Sequence, residues 1–544
     1  MKTKETIRAE LKAAAERMPR YATAYRGLEQ KAFDTVYPLV MGYVRDRFLL
    51  TKEMCRSDRL LDLADISLRY MLNLKRMGID PGEISRSCSG ASSVITKKVL
   101  LMKAVQELFE VSMTPTEFAS IETVTELTEF ICRRHLPDCN TECSDDKQRT
   151  EAEGFDVYAI RENFPALGES IHGQPLCYLD NAATAQMPTQ ALDAVRQLEQ
   201  CRANIHRGIH TLAGRCTDAY EQSRAICADF LGAQPGQITF TSGTTDGINR
   251  VAMALAGQPG GIVTTILEHH SNFVPWQQLC LRLGKPFRVC PVTPDGQLDM
   301  AAMDRLLTPD ISVLAVTQCS NVLGTVIPVE ELIRIAHARG IRVLVDGAQS
   351  VCHRKIDVTA MDCDWFVCSG HKLGGPFGIG LLYCKEPLAP VYFGGGMVDV
   401  VTEQNTTFLP TLEAGTPNIS AAVGLAAALG YRNALPPHWQ AHEAALLRRT
   451  ESLLREIPGV KILGSAQREG CLAFSLDGIS AFDAAALLDQ QGIALRSGNH
   501  CAQPLHHALG VEYTLRVAPA FYNTFEEIDR LASGVREVLK LLRP

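Results

Sequence analysis

The sequence predicts an α/β protein with a covered, mainly parallel sheet, preceded by an all-α region. Three observations lead there. From about residue 155 onward, short β-rich runs alternate with amphipathic helical segments, the pattern of βαβ units. Residues 1 to about 135 instead carry helical periodicity almost throughout. The length of 544 residues is too great for one compact core, so more than one domain is expected.

In the first region, Ile95, Val99, Met102, Val105 and Phe109 recur at the spacing of one helix face. Thr123-Val124-Thr125-Glu126 is a capping-box pattern ahead of Leu127, Phe130 and Ile131, so a helix should start there. Residues 138–154 are polar and read as a linker, which sets an all-helical domain at 1–137 and an α/β unit at 155–544. Strands are expected at Gln237–Phe240, Gly261–Ile266, Val313–Thr317, Val343–Val345 and Trp365–Cys368. Leu332–Ala338 is an intervening helix. A second α/β piece begins near residue 435, with a helix over Ala441–Glu456 and a strand over Cys471–Leu476. There is no internal repeat and no low-complexity tract.

Composition narrows the function. Hydrophobic content of 46% and charged content of 21% fit an ordinary globular protein. A net charge of −7 without a basic block argues against nucleic acid as a partner. No apolar stretch is long enough to span a bilayer, and Met1 to Glu16 lacks the apolar core of a signal peptide. A cytoplasmic enzyme is therefore expected, its 18 cysteines mostly reduced and mostly buried as small hydrophobes.

The chemistry centres on Lys372, in Ser369-Gly370-His371-Lys372, downstream of Asp346-Gly347-Ala348-Gln349. A lysine and an aspartate on successive strand ends are what a pyridoxal phosphate (PLP) enzyme needs: the amine binds the cofactor and the carboxylate pairs with the pyridinium nitrogen. Thr241 to Asn249 follows a strand and opens a helix, and small residues at a helix start suit a phosphate, although a plain strand-to-helix turn has the same look. His269 and His270 follow another strand, where a ring can stack on a planar cofactor or move protons. The Asn321 amide lies just past a third strand, placed for the cofactor's phenolic oxygen or for a turn cap.

This stretch resembles the fold-type I PLP enzymes of the class V aminotransferase group, and more narrowly the cysteine desulfurases of the SufS/CsdA type. The likeness runs from about Tyr178 to the C-terminus. It includes Leu179-Asp180-Asn181-Ala182-Ala183, His206-Arg207-Gly208-Ile209-His210, Gly394-Gly395-Gly396-Met397 and Glu413-Ala414-Gly415-Thr416-Pro417-Asn418. Its most specific element is Arg496-Ser497-Gly498-Asn499-His500-Cys501-Ala502-Gln503-Pro504. The resemblance implies a seven-stranded large domain at about 190–432 and a small domain from about 155–189 and 433–544. It implies that Lys372 holds PLP, with Asp346, Gln349 and Asn321 contacting the ring and His269 stacking on it. Thr244, Thr245, Ser369 and His371 would hold the phosphate, joined by Thr416 from a second subunit of a homodimer. Ala182, Asn321, Arg496 and Arg516 would bind L-cysteine. Cys501 would be the nucleophile that accepts sulfur as a persulfide, releasing alanine, and would pass the sulfur to a SufE-like or SufU-like acceptor for iron–sulfur cluster assembly. A selenocysteine lyase or another class V PLP enzyme is the alternative.

Residues 1–150 fall outside that pattern. Residues 90–135 resemble the last half of an acyl-carrier-protein-like domain but lack its Asp-Ser-Leu attachment site. Ser92 and Ser93 do not have the expected neighbours, so no phosphopantetheine arm is expected and a partner-binding or packing role is. Cys132, His135, Cys139 and Cys143 match no familiar zinc-finger spacing, and no metal is expected. Cys88 is the one candidate for an internal sulfur relay, without SufE-like sequence around it.

Overall fold

A computed structural model describes residues 4–28, 31–51, 54–55, 57–76, 94–111, 113, 121–133 and 155–542. Two compact units share the chain. The first comprises Met1–Arg149 with Gly478–Gln491 and Ser533–Pro544; the second comprises Thr150–Asp477 and Gly492–Ala532.

The N-terminal part of the first unit is helical, as the periodicity implied: α1 (Lys4–Arg26), α2 (Phe33–Arg47), α3 (Leu60–Arg76), α4 (Val94–Phe109) and α5 (Val124–Arg133). Val99, Met102, Val105 and Phe109 of the stripe on α4 are all buried. The capping box forms: Thr123 Oγ1 accepts from the Glu126 N–H at 3.1 Å, and Glu126 Oε2 accepts from the Thr123 N–H at 3.1 Å. Buried Asp46 ties α2 to α1 by accepting two hydrogen bonds from the Arg17 guanidinium and one from the Tyr21 hydroxyl, each at 2.8 Å. Cys132 lies on α5, half-buried. His135, Cys139, Cys143, Cys88, Ser92, Ser93 and the linker lie outside the described residues.

The second unit is built on a seven-stranded sheet: β1 (Ile238–Thr241), β2 (Gly261–Thr265), β3 (Phe287–Cys290), β4 (Ile311–Thr317), β5 (Arg342–Asp346), β6 (Trp365–Ser369) and β7 (Gly380–Cys384). Their order is β1-β7-β6-β5-β4-β2-β3, parallel throughout except β7, which runs antiparallel to both neighbours. Strands β2, β6 and β7 are buried at every residue, as helices on both faces require, and this explains their lack of charged residues. Because β7 alone is reversed, β1, β2, β4, β5 and β6 all end at the same edge, and the segments that follow them meet there.

Helices α6 (Thr244–Ala254) and α7 (Val329–His337) are among those that cover the sheet, and α8 (Trp439–Arg455) follows in the chain. A four-stranded antiparallel sheet follows: β8 (Val460–Ile462), β9 (Leu472–Leu476), β10 (Arg496–Gly498) and β11 (Thr514–Val517), in the order β8-β9-β11-β10. Cys177–Tyr178 pairs in parallel with Ile493–Ala494, and Asp180 bridges to Ala518. This pairing brings the start of the unit against its C-terminal strands.

Candidate active site

The convergent strand ends enclose a pocket of about 530 Å³ within the second unit. Every site residue expected from the sequence lines it except Thr416. Thr416 is exposed on the loop between Thr406–Phe408 and Ile419–Asn433.

One end of the pocket is a hydroxyl-lined cradle. Gly243 turns the chain from β1 into α6 at φ 150°, and a Cβ on Gly380 would meet the Gly243 Cα at 2.6 Å, so the backbones pack closer than side chains allow. Ser369, ending β6, accepts from the Thr244 N–H at 2.9 Å, and its hydroxyl lies 2.8 Å from Thr244 Oγ1. Thr245 Oγ1 lies 2.7 Å from Ser271 Oγ. His371 Nδ1 lies 3.1 Å from Thr184 Oγ1, and burial holds its ring down to about pKa 4. Hydroxyls and the first N–H groups of α6 together make a setting for a phosphate.

The middle of the pocket holds the charges. Asp346 ends β5, buried, and accepts from the Ala348 N–H at 2.9 Å. Burial raises its carboxyl pKa, opposed first by that Ala348 N–H and then by Lys372. Burial lowers the Lys372 amine below the ordinary lysine range, opposed by Asp346. The His269 ring is pushed to about 3 by burial, then by Lys372, His270 and Arg516, so it is neutral. Its Nδ1 accepts from the Ser271 N–H at 3.1 Å, which leaves Nε2 as the protonated nitrogen. The Gln349 amide donates to the Ala182 carbonyl at 2.8 Å.

The far end carries the thiol. Cys501 is exposed in a turn where His500 and Cys501 both have positive φ, 50° and 55°. Two bonds fix that turn: His270 N–H donates to the Cys501 carbonyl at 2.7 Å and the Asn321 amide donates to the His500 carbonyl at 2.7 Å. Arg516, buried on β11, donates to the Asn321 carbonyl at 2.9 Å and to Asp180 at 3.0 Å. Exposed Arg496 reaches the same Asp180 carboxylate at 3.0 Å. Asn321 Oδ1 and Arg516 Nε are buried without a protein partner. Orphaned polar atoms in a cleft lined by Lys372, Asp346 and hydroxyls fit a planar, phosphate-bearing cofactor and a carboxylate substrate.

Sequence reasoning missed Asp180, Ser271, Thr184 and Glu268 as parts of this arrangement. All four sit within or beside motifs already singled out; adjacency was the available signal. Glu268 lies beneath His269, accepting from Thr265 Oγ1, the Asn272 amide and the Thr317 N–H at 2.6, 2.7 and 3.1 Å. Burial raises its pKa to about 8 against those three donors. With the folded value above the unfolded one, folding takes up a proton between about pH 4.5 and 8. Stability is greatest below that window and falls as pH rises through it. Glu268→Gln should flatten the slope of stability against pH over that window, a difference of a few kcal/mol in chemical denaturation. Equal slopes in both proteins would show that Glu268 is ionised in the fold.

A family profile, "Aminotransferase class-V", matches residues 177–531. A cysteine desulfurase of Dickeya dadantii (strain 3937) is 46% identical over 405 residues, which cover 72% of this chain and 98% of that protein. One from Escherichia coli (strain SE11) is 42% identical, covering 71% and 99%. Among solved structures, the cysteine desulfurase CsdA of Escherichia coli superposes with a TM-score of 0.66 at 37% identity, over 71% of this chain and 99% of that one. The apo cysteine desulfurase of Thermococcus onnurineus NA1 gives 0.67 at 36%, over 70% and 98%.

Proposed function

Because the chain belongs to the class V aminotransferase family and, within it, to the cysteine desulfurases, we propose that it takes sulfur from L-cysteine, releases L-alanine and carries the sulfur as a persulfide on Cys501. The observation that carries this reading is the presence of Lys372, Asp346 and the exposed Cys501 in one pocket.

PLP is the cofactor of this family, and it supplies an electron sink for bonds breaking at the substrate carbons. Lys372 holds it: burial favours the neutral amine, the form that binds an aldehyde and moves the substrate's α-proton. Asp346 would pair with a protonated ring nitrogen, and Gln349 and Asn321 would serve the phenolic oxygen. Thr244, Thr245, Ser369 and His371 take the phosphate. His269, neutral, offers a flat ring and an N–H without adding charge. Arg516 binds the substrate carboxylate, with Ala182 and Arg496 beside it. The thiolate of Cys501 attacks the substrate sulfur, the carbon–sulfur bond breaks, and the carbon left behind gains the hydrogen that makes the alanine methyl group.

Arg516→Lys keeps the charge and loses the planar fork that spans Asn321 and Asp180. The expected result is a KM for L-cysteine raised by about tenfold or more with the cofactor spectrum unchanged. An unchanged KM in steady-state kinetics would place the carboxylate elsewhere.

Exposed apolar residues support the homodimer. Ile209 is fully exposed, and Tyr392, Phe393, Val400, Val401, Phe408 and Leu409 are exposed near Thr416 in the chain. Phe393 and Phe408 touch, and Arg207 donates to the Val398 carbonyl at 2.7 Å, linking the two segments. Covering this surface with a second copy would bring in Thr416. The acceptor is a SufE-like or SufU-like protein in cytoplasmic iron–sulfur cluster assembly; among the described residues, no helix is long and apolar enough to cross a membrane. The region of residues 1–137 serves as an accessory segment for binding a partner.

Purified protein supplied with PLP should absorb visible light and release alanine from L-cysteine in the presence of a thiol acceptor. Release from L-selenocysteine alone would move the assignment to a selenocysteine lyase.

A further inference from the structure

Behind the Cys501 turn lies a chain of three buried polar side chains with a fixed direction. His500, Thr514 and His506 are exposed by only 7%, 0% and 2%. His506 follows Cys501 on the short helix Gln503–Ala508. Its Nδ1 lies 3.0 Å from the Ala502 carbonyl, which can only accept, so that nitrogen carries the proton. Burial keeps His506 neutral at rest, so its Nε2 is a bare lone pair. Thr514 Oγ1 lies 3.0 Å from that Nε2 and must donate its one hydrogen to it. Thr514 then has only lone pairs for His500 Nε2, 2.9 Å away on its other side, so His500 Nε2 is the donor. A neutral His500 therefore has a bare Nδ1. That nitrogen is buried without a protein partner, on a ring that lines the pocket beside Cys501.

We infer that His500, Thr514 and His506 form a proton relay that takes a thiol proton from the pocket at His500 Nδ1 and stores it at His506 Nε2. The inference rests on the desulfurase reading. In the forward direction the S–H bond breaks and its electrons stay on sulfur. The proton joins His500 Nδ1, the proton on His500 Nε2 passes to Thr514 Oγ1, and the Thr514 proton passes to His506 Nε2. The products are one thiolate and one imidazolium, with His500 and Thr514 neutral. The reverse direction returns the proton to the carbon that loses sulfur, so the reaction closes without another acid.

The charge distribution favours storage at His506. Burial, then Arg516, His506 and Arg496, hold His500 down to about 2, so it passes a proton on rather than keeping it. His506 is lowered by burial but favoured in its charged form by the Ala502 carbonyl. Two thiols can supply the proton: that of Cys501 and that of the substrate.

The test uses the PLP-loaded full chain. Single-turnover alanine formation is followed in H2O and D2O for the parent protein, Thr514→Val and Thr514→Ser, with ¹⁵N-histidine spectra of each. Thr514→Val should slow alanine formation by about 10- to 100-fold and lose the solvent isotope effect, while its cofactor spectrum and L-cysteine binding stay unchanged. Thr514→Ser should restore both. A Thr514→Val rate within twofold of the parent's overturns the relay, as does a resting His500 protonated on Nδ1, which the spectra of the parent protein read even if the variants fail to fold. Parent protein that makes no alanine at all refutes the desulfurase reading, and the relay with it; alanine made equally well without the Thr514 hydroxyl refutes the relay alone. Adding L-cysteine to Cys501→Ala separates the sources: protonation of His506 assigns the proton to the substrate thiol, and its absence assigns it to Cys501.

Discussion

Cys501→Ala protein should bind PLP with an unaltered visible spectrum and lose sulfur removal from L-cysteine by about a thousandfold or more. The two effects separate because Cys501 is exposed in the pocket lining, whereas the proposed cofactor cradle is built on Thr244, Ser369 and Lys372. The backbone of the turn is held through the carbonyls of His500 and Cys501, which alanine retains. What goes is the one exposed thiol in the pocket. Cys319 also lines it, but is buried, with its thiol pKa raised well above the ordinary range first of all by that burial. Alanine production and persulfide formation, measured together by mass spectrometry, check the result. Equal desulfuration by parent and variant would remove the persulfide step from the mechanism.

Lys372→Ala should lose the covalent link to PLP and lower turnover by a comparable factor, since in the proposed reaction one amine both holds the cofactor and moves the α-proton. Loosely bound PLP should remain, because the hydroxyl-lined cradle proposed for its phosphate is held by Thr244–Ser369, Thr245–Ser271 and His371–Thr184 bonds that do not involve Lys372. Removing the Lys372 side chain also removes one of the two groups that oppose burial at Asp346, the Ala348 N–H being the other, so the Asp346 carboxyl should rise further in the cofactor-free protein. Mass spectrometry under denaturing conditions after borohydride reduction distinguishes the two proteins: the parent retains the mass of reduced PLP and the variant does not.

Much of this architecture was legible because the signals are local. Parallel strands buried on both faces show as apolar runs, and Gly261–Thr265, Ile311–Thr317, Arg342–Asp346 and Trp365–Ser369 fall within two residues of their expected bounds. The residues after them carry the chemistry because one sheet edge collects them. The capping box at Thr123 was readable for the same reason, spanning one helical turn. The pairing of Asp180 and the role of Thr514 were not readable. Asp180 meets Arg516 across 336 positions in the chain, through pairings that no periodicity announces. Thr514 looks like any β-branched residue in a strand, and only the two imidazoles on either side of it give its hydroxyl a direction.

The consecutive positive φ angles at His500 and Cys501 have a mechanical consequence. Two non-glycine residues in the left-handed region cost about 1–3 kcal/mol each, a tension offset by the His270, Asn321 and Thr514 bonds that over-determine the turn. Such a turn is a fixed post, not a swinging arm. On the proposed reaction, an acceptor collecting sulfur from Cys501 would have to bring its own thiol to this turn, and the reach would belong to the visitor.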